Sequence, residues 1–589
     1  MTTEKSALDA ARERYAAERD KRMRDDGNDQ YSELAGDFEH LDRDPWAEPI
    51  ERDALSEDVD VVVVGGGFAG MMTAINLRKR GVTNIRIIEK GGDFGGTWYW
   101  NRYPGCMCDV ESRTYLPLLE ETGYRPRDLY ASATEIFEYC QLMGRHFELY
   151  QHALFQTQIQ DAAWDQELGR WRVVTTRGDE LRATNFVLAG GILNKAKLPG
   201  IPGAETFEGD AFHTSRWDYD ITGGSALEPM EKLRNRKVGI IGTGATAVQA
   251  VPQLAKTAEQ LYVFQRTPSP VGVRNNGPID PSCYDEQPEG WHEERVTNFT
   301  HSVTGKQPEK NLVQDGWTEV MWVNSQEPTD DPERIEELER LDFEVMQGLR
   351  DRVAEVVEDP ETAEKLQPWY GKQCKRVCFH DEYLPTFNKP NVELVDTDGR
   401  GVERITPNAV VVDGKEYEVD LLIFASGFEV TTDLDRRLGF DPKGRDGVSL
   451  SEKWHDGAHT MHGILSTGFP NMYTISIVQA GFGTNFVHFL GKSAEHVAWT
   501  IAQCRDEGIA EIEATPEAEE EWLGVLFGVV AGVARYSSTC TPGQYNSEGM
   551  RTMKAARNLT YTGSLLDYNE HLVKWREAGD FPGTSLVRA

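Results

Sequence analysis

The chain has little cysteine, little basic charge and no long apolar run. Eight cysteines in 589 residues are too few for a disulfide-built scaffold at this length. Cys106, Cys108, Cys140, Cys283, Cys374, Cys378, Cys504 and Cys540 form no paired CxxC knuckles and no Cys/His array with zinc spacing. Ordinary unpaired thiols are therefore expected, and no metal site. Lys and Arg number 62 against 97 Asp and Glu, a formal net charge of −35. So acidic a protein repels a phosphate backbone and anionic lipid, so neither nucleic acid nor a membrane is an expected partner. The longest run of apolar residues and glycine, Trp522 to Ala534, has 13 members, short of the roughly 20 a membrane-spanning helix needs. The N-terminal stretch MTTEKSALDAARERYAAERDKRM is charged throughout and lacks the apolar segment of an export signal, so a cytoplasmic location is expected.

What the chain does have is a pair of nucleotide-binding signatures. Residues 1–56 read as a polar arm, helical at first (Ala7, Leu8, Ala11, Tyr15), that packs along the surface. VDVVVVGGGFAGMMTAINLRKRGVTNIRIIEK then gives strand, glycine turn, helix and strand, and KVGIIGTGATAVQAVPQLAKTAEQLYVFQRT from Lys237 repeats the order. The expected class is α/β with two Rossmann-like domains. The first begins at 57–200, and the second spans 201–390 with a helical insert at about 275–370. From 391, DG turns between alternating residues predict hairpins, and 391–589 is expected to complete the first domain.

Gly65-x-Gly67-x-x-Gly70 follows a strand and opens a helix, the context a dinucleotide fingerprint requires. Glu89, 19 residues past Gly70, ends the next strand, where a carboxylate accepts hydrogen bonds from ribose hydroxyls. The second copy reads Gly242-Thr243-Gly244-x-x-Ala247, and the position equivalent to Glu89 is Arg266, followed by Thr267. A carboxylate there would repel a 2′-phosphate, whereas a guanidinium binds one, so the second site is expected to take NADP(H) in preference to NAD(H). One acidic and one basic ribose clamp imply two different dinucleotides, hence FAD reduced by NADPH.

Further motifs carry a family resemblance. Phe207-x-Gly209-x-x-x-His213-x-x-x-Trp217, GGTWYWNRYPGCMCDVES from Gly95, KRVCFHDEYLPTFN from Lys375 and STGFPNMY from Ser466 resemble type I Baeyer–Villiger monooxygenases over roughly residues 57–500. The N-terminal arm resembles the layout of the subgroup acting on large-ring or polycyclic ketones. The resemblance implies NADPH- and O2-dependent conversion of a ketone to an ester or lactone through a C4a-peroxyflavin, by a monomer or small homo-oligomer. Oxygenation at sulfur or nitrogen is the neighbouring alternative, and a nucleotide-binding protein without turnover a remoter one.

By the same resemblance Arg376 is the active-site arginine and Asp109 the carboxylate that orients it. Lys375 helps to bind the 2′-phosphate, Thr97, Trp98 and Tyr115 contact the flavin, and His213 couples domain movement or is simply structural. Arginine suits the task because its charge survives at any working pH and stabilises an oxyanion strongly in a dry site. Relatives often carry a Trp on a loop near the C-terminus, where YSSTCTPGQYNSEG here offers Cys540 or Thr541. WLGVLFGVVAGVA reads as a buried helix, with the lining of an apolar substrate channel as the second possibility.

Overall fold

The computed structural model describes residues 2–285 and 287–588. The valine run predicted as the first strand forms Ser56–Val64, and Val61, Val62 and Val63 are completely buried. A strand covered on both faces reads as a continuous apolar run rather than an alternating one. It pairs in parallel with Ile85–Ile88 on one side and Glu180–Leu188 on the other. Ala153–Leu154, Met472–Thr474 and the antiparallel strands Arg170–Thr175 and Ile159–Asp165 complete the seven-stranded sheet. The helices Phe68–Lys79 and Phe486–Asp506 pack together against it.

A second sheet of five parallel strands runs in the order Val392–Asp396, Gln260–Gln265, Lys237–Ile241, Leu421–Phe424, Asp210–His213. This corrects the expected boundary at 391. Strands 392–396 and 421–424 belong to the second sheet, and the chain returns to the first sheet through a bridge from Lys443 to Ala163 and then the strand Met472–Thr474. An apolar strand does not carry its sheet with it, because the partner edge decides. Between them, Ala409–Val412 and Lys415–Glu418 form the expected hairpin, with Asp413 at φ +51° and Gly414 at φ +75°, both left-handed as an Asp-Gly turn requires.

Residues between the paired strands Val271–Gly272 and Cys378–Phe379 hold the helices Trp291–Val303, Gly316–Val320, Pro332–Val356 and Pro360–Leu366. The N-terminal helix Thr2–Asp20 lies against Pro332–Val356, burying Leu8 and Ala11, while Arg350 donates to the Tyr15 hydroxyl at 3.2 Å. The rest of the arm is stitched down by Tyr31–Ser32, which pairs with Leu198–Pro199, and by Asp42, which accepts from Arg216 at 2.8 Å.

The thiols depart from expectation. Cys374 and Cys540 are joined in a disulfide across 166 residues, and the other six cysteines are free. Spacing in sequence could not signal this pair, because only the fold brings the two Cα atoms to 5.2 Å. Among the described residues no group of side chains could hold a metal ion, and no helix is long and apolar enough to cross a membrane.

Candidate active site between two glycine turns

Both glycine turns open onto one cavity of about 830 Å³. Gly65 has φ +107° and Gly242 φ +113°, and a Cβ at either would lie 2.5 Å from a carbonyl oxygen, that of Ala189 or of Ala425. Only glycine fits both constraints. At Gly70 a Cβ would lie 1.8 Å from the Gly65 oxygen, so the helix Phe68–Lys79 can press against its own turn. The helices Phe68–Lys79 and Ala245–Leu254 begin after Gly67 and Gly244, and neither has a side-chain cap. Their first N–H groups are left for an anion. Residues on the cavity wall thus fit a pyrophosphate at each turn.

On the first wall, Glu89 is buried and accepts the Gly66 and Gly91 N–H groups, each at 2.6 Å. Burial raises its pKa despite those bonds. Thr97, Trp98 and Tyr115 stand on the same wall, and the Trp98 indole donates to the Tyr115 hydroxyl at 2.9 Å. On the second wall, the Thr243 hydroxyl donates to the Thr267 carbonyl at 2.7 Å, and Arg266 reaches Gln30 at 2.9 Å and Glu548 at 3.3 Å. Lys375 donates to the Pro542 carbonyl at 3.1 Å. Burial, then the Arg266 charge, push its pKa down to about 8.

Arg376 and Asp109 meet where this cavity adjoins a second one of about 1210 Å³. The guanidinium donates two bonds of 2.7 Å, from Nε and Nη2, to the two carboxylate oxygens, and a third of 3.4 Å to the Thr484 carbonyl. Its carbon lies 4.6 Å from the centre of the Trp317 ring. Burial opposes charge on both partners. For Arg376 the Asp109 carboxylate outweighs it and raises the pKa, while for Asp109 the Arg376 charge, aided by Arg274, leaves it below the usual carboxylate value.

None of the four fingerprint residues lines the cavity. At Gly209 a Cβ would meet the Phe207 ring at 2.7 Å and the Asp420 oxygen at 2.8 Å. His213 ends the outermost strand of the second sheet, its Nδ1 accepting from the Ser215 N–H at 3.1 Å, beside the Phe428 ring. Burial, then Arg216, push its pKa down to about 3, which favours the neutral ring. Trp217 is fully buried, donating to Thr222 at 3.2 Å, and Ala247 is buried inside its helix.

Sequence reasoning missed several cavity residues. Arg274 is buried on the cofactor side, and its Nε and Nη1 lack protein partners. Thr541 is buried, and the aromatic that the C-terminal loop brings to both cavities is Tyr545. Asn485 donates to the Thr114 carbonyl at 2.8 Å and leaves Oδ1 unpaired at the larger cavity. In the apolar stretch Trp522, Leu523 and Leu526 are core, while Val529 and Val533 line that cavity.

Comparisons with known proteins agree with this layout. Residues 62–312 match the family model of pyridine nucleotide-disulphide oxidoreductases. Baeyer-Villiger monooxygenase 4 of a Dietzia species is 43% identical over 98% of this chain and 95% of its own length. The solved polycyclic ketone monooxygenase of Thermothelomyces thermophila superposes with a TM-score of 0.92 at 37% identity, covering 99% of both chains. A structure of OTEMO in complex with FAD and NADP gives 0.76 at 26% identity, over 90% of this chain and 99% of that one. With two glycine turns facing one cavity and relatives matching from end to end, this chain belongs to the type I Baeyer–Villiger monooxygenases, flavoprotein oxidoreductases that use FAD and NADPH.

Proposed function

We propose that the enzyme converts a bulky cyclic ketone to a lactone in the larger cavity, with Arg376 as the catalytic residue and Asp109 as its positioning partner. FAD bound along the first glycine turn and reduced by NADPH supplies the activation of O2. One oxygen atom enters the ester beside the carbonyl carbon, the other leaves as water, and NADPH provides the two electrons.

The observation that carries this reading is the place of Arg376, a cation on the shared wall of the two cavities, clamped by two bonds to Asp109. A guanidinium held at that wall stabilises negative charge as it grows on the oxygen under transfer and on the carbonyl oxygen under attack. It does so without giving up a proton. Asp109 keeps the guanidinium plane in register, so little reorganisation accompanies the reaction. Trp317, Met321, Val323, Ile477, Val529 and Val533 give the larger cavity an apolar lining suited to a fused-ring substrate, and the polycyclic ketone named in the solved relative is of that kind. The second wall, with Arg266, Thr267 and Lys375, holds the coenzyme phosphate. The protein works in the cytoplasm as a monomer or small homo-oligomer.

The test is Arg376→Ala supplied with NADPH, O2 and a panel of monocyclic, fused-ring and terpenoid ketones. Flavin absorbance and anaerobic reduction by NADPH are expected to persist, with no lactone formed. Lactone at the wild-type rate would refute the assignment.

A further inference from the structure

Three cations converge on one buried carboxylate in a corner of the cofactor cavity. Lys197 Nζ lies 3.2 Å from Glu548 Oε1, and Arg266 Nη2 lies 3.3 Å from Oε2. Lys375, bonded to the Pro542 carbonyl of the same loop, adds its charge, and the Tyr31 hydroxyl adds a hydrogen bond. The Lys197 and Glu548 side chains are 9% and 3% exposed. Although burial opposes ionisation, the three cations hold the Glu548 carboxyl down at about 2.

Three features make this more than a structural ion pair. Arg266 directly follows the strand Gln260–Gln265, where the ribose of a nucleotide seated on the Gly242 turn must lie. The carboxylate therefore sits where an anion on that ribose would sit. One carboxylate also leaves two of the three positive charges unmatched, whereas a phosphate monoester carries about −1.5 to −2 at neutral pH. The backbone that delivers the carboxylate is under strain, with Ser547 at φ +49° and Glu548 at φ +53°. Left-handed backbone is disfavoured at consecutive non-glycine residues, and the ion pairs of Glu548 offset part of that cost.

We infer that Glu548 is an internal surrogate for the 2′-phosphate of NADPH, seated in the clamp of Lys197, Arg266 and Lys375 until the coenzyme phosphate displaces it, and that Lys197 is a further phosphate ligand. The inference rests on the phosphate-clamp reading above. It gives the clamp a second source of selectivity, because a coenzyme without the phosphate has nothing to exchange for the resident carboxylate.

The test is calorimetric titration of the FAD-loaded protein with 2′,5′-ADP and with 5′-ADP, for the wild type, Glu548→Gln and Lys197→Met. Glu548→Gln removes the competing charge and should tighten 2′,5′-ADP roughly tenfold, about 1.4 kcal/mol, leaving 5′-ADP unchanged. Lys197→Met should weaken 2′,5′-ADP by a similar factor and spare 5′-ADP. A Glu548→Gln variant that binds 2′,5′-ADP no better than the wild type overturns the surrogate. A wild type that does not discriminate between the two ligands overturns the clamp reading itself. Should Glu548→Gln fail to fold, amide exchange on the wild type decides. The Glu548 N–H, bonded to the Gly543 carbonyl at 3.0 Å, should exchange faster with 2′,5′-ADP present and not with 5′-ADP, and equal or slower exchange counts against displacement.

Discussion

Cys374 is disulfide-bonded to Cys540, which ties the residue before Lys375 and Arg376 to the loop that carries Tyr545 and Glu548. The bond joins the clamp's cations to the segment that supplies their carboxylate, and it limits how far that segment can move. Such a crosslink also restricts the unfolded chain over a long loop.

Thiol titration of the denatured, unreduced protein should count six free cysteines of the eight. Cys540→Ser should lose about 2–4 kcal/mol of stability, read as a lower unfolding temperature. Eight titrating thiols would show that the crosslink does not form.

Asp109→Asn keeps one acceptor for Arg376 and removes the charge. Breaking a buried ion pair costs about 3–5 kcal/mol, with the lower end expected here because both partners border an open cavity. The guanidinium then loses its fixed plane. Lactone formed per NADPH consumed should fall roughly tenfold, about 1.4 kcal/mol in the oxygenation barrier, with hydrogen peroxide making up the difference. An unchanged product ratio would limit Asp109 to a purely structural part.

Asp315 caps the helix Gly316–Val320, which sets Trp317 against Arg376. Its Oδ1 accepts the Thr318 N–H at 3.0 Å, and its Oδ2 is buried without a partner. Burial, opposed by that bond and aided by Glu111 and Asp109, raises its pKa to about 7. An unfolded Asp loses its proton near about 4. Between those values the native chain holds a proton the unfolded chain has released, so stability falls as pH rises through the window. Asp315→Asn keeps the cap and does not titrate. Its unfolding temperature should therefore decline less than the wild type's between about pH 4 and 7, and parallel declines would exclude Asp315 as the group responsible.

What the amino-acid sequence determined by itself is what short-range physics decides. Gly65, Gly70 and Gly242 sit where a Cβ would strike the chain's own carbonyls, so both turns were legible from spacing alone. Asp413-Gly414 likewise announced its hairpin through backbone conformation. The swap of Glu89 for Arg266 at equivalent strand ends could be read as charge in a known local frame.

The tertiary structure alone decided which distant groups meet. Residues 392–396 mix apolar and acidic side chains and 421–424 is an apolar run, but neither pattern names its sheet, and both went to the second one. Cys374 finds Cys540, Glu548 falls among Lys197, Arg266 and Lys375, and Tyr545 reaches the wall beside Arg376, all across hundreds of residues or from another domain. Local propensity is fixed by a few neighbouring dihedrals. An ion pair or a disulfide instead depends on where two separately folded surfaces come to rest, which no residue spacing records.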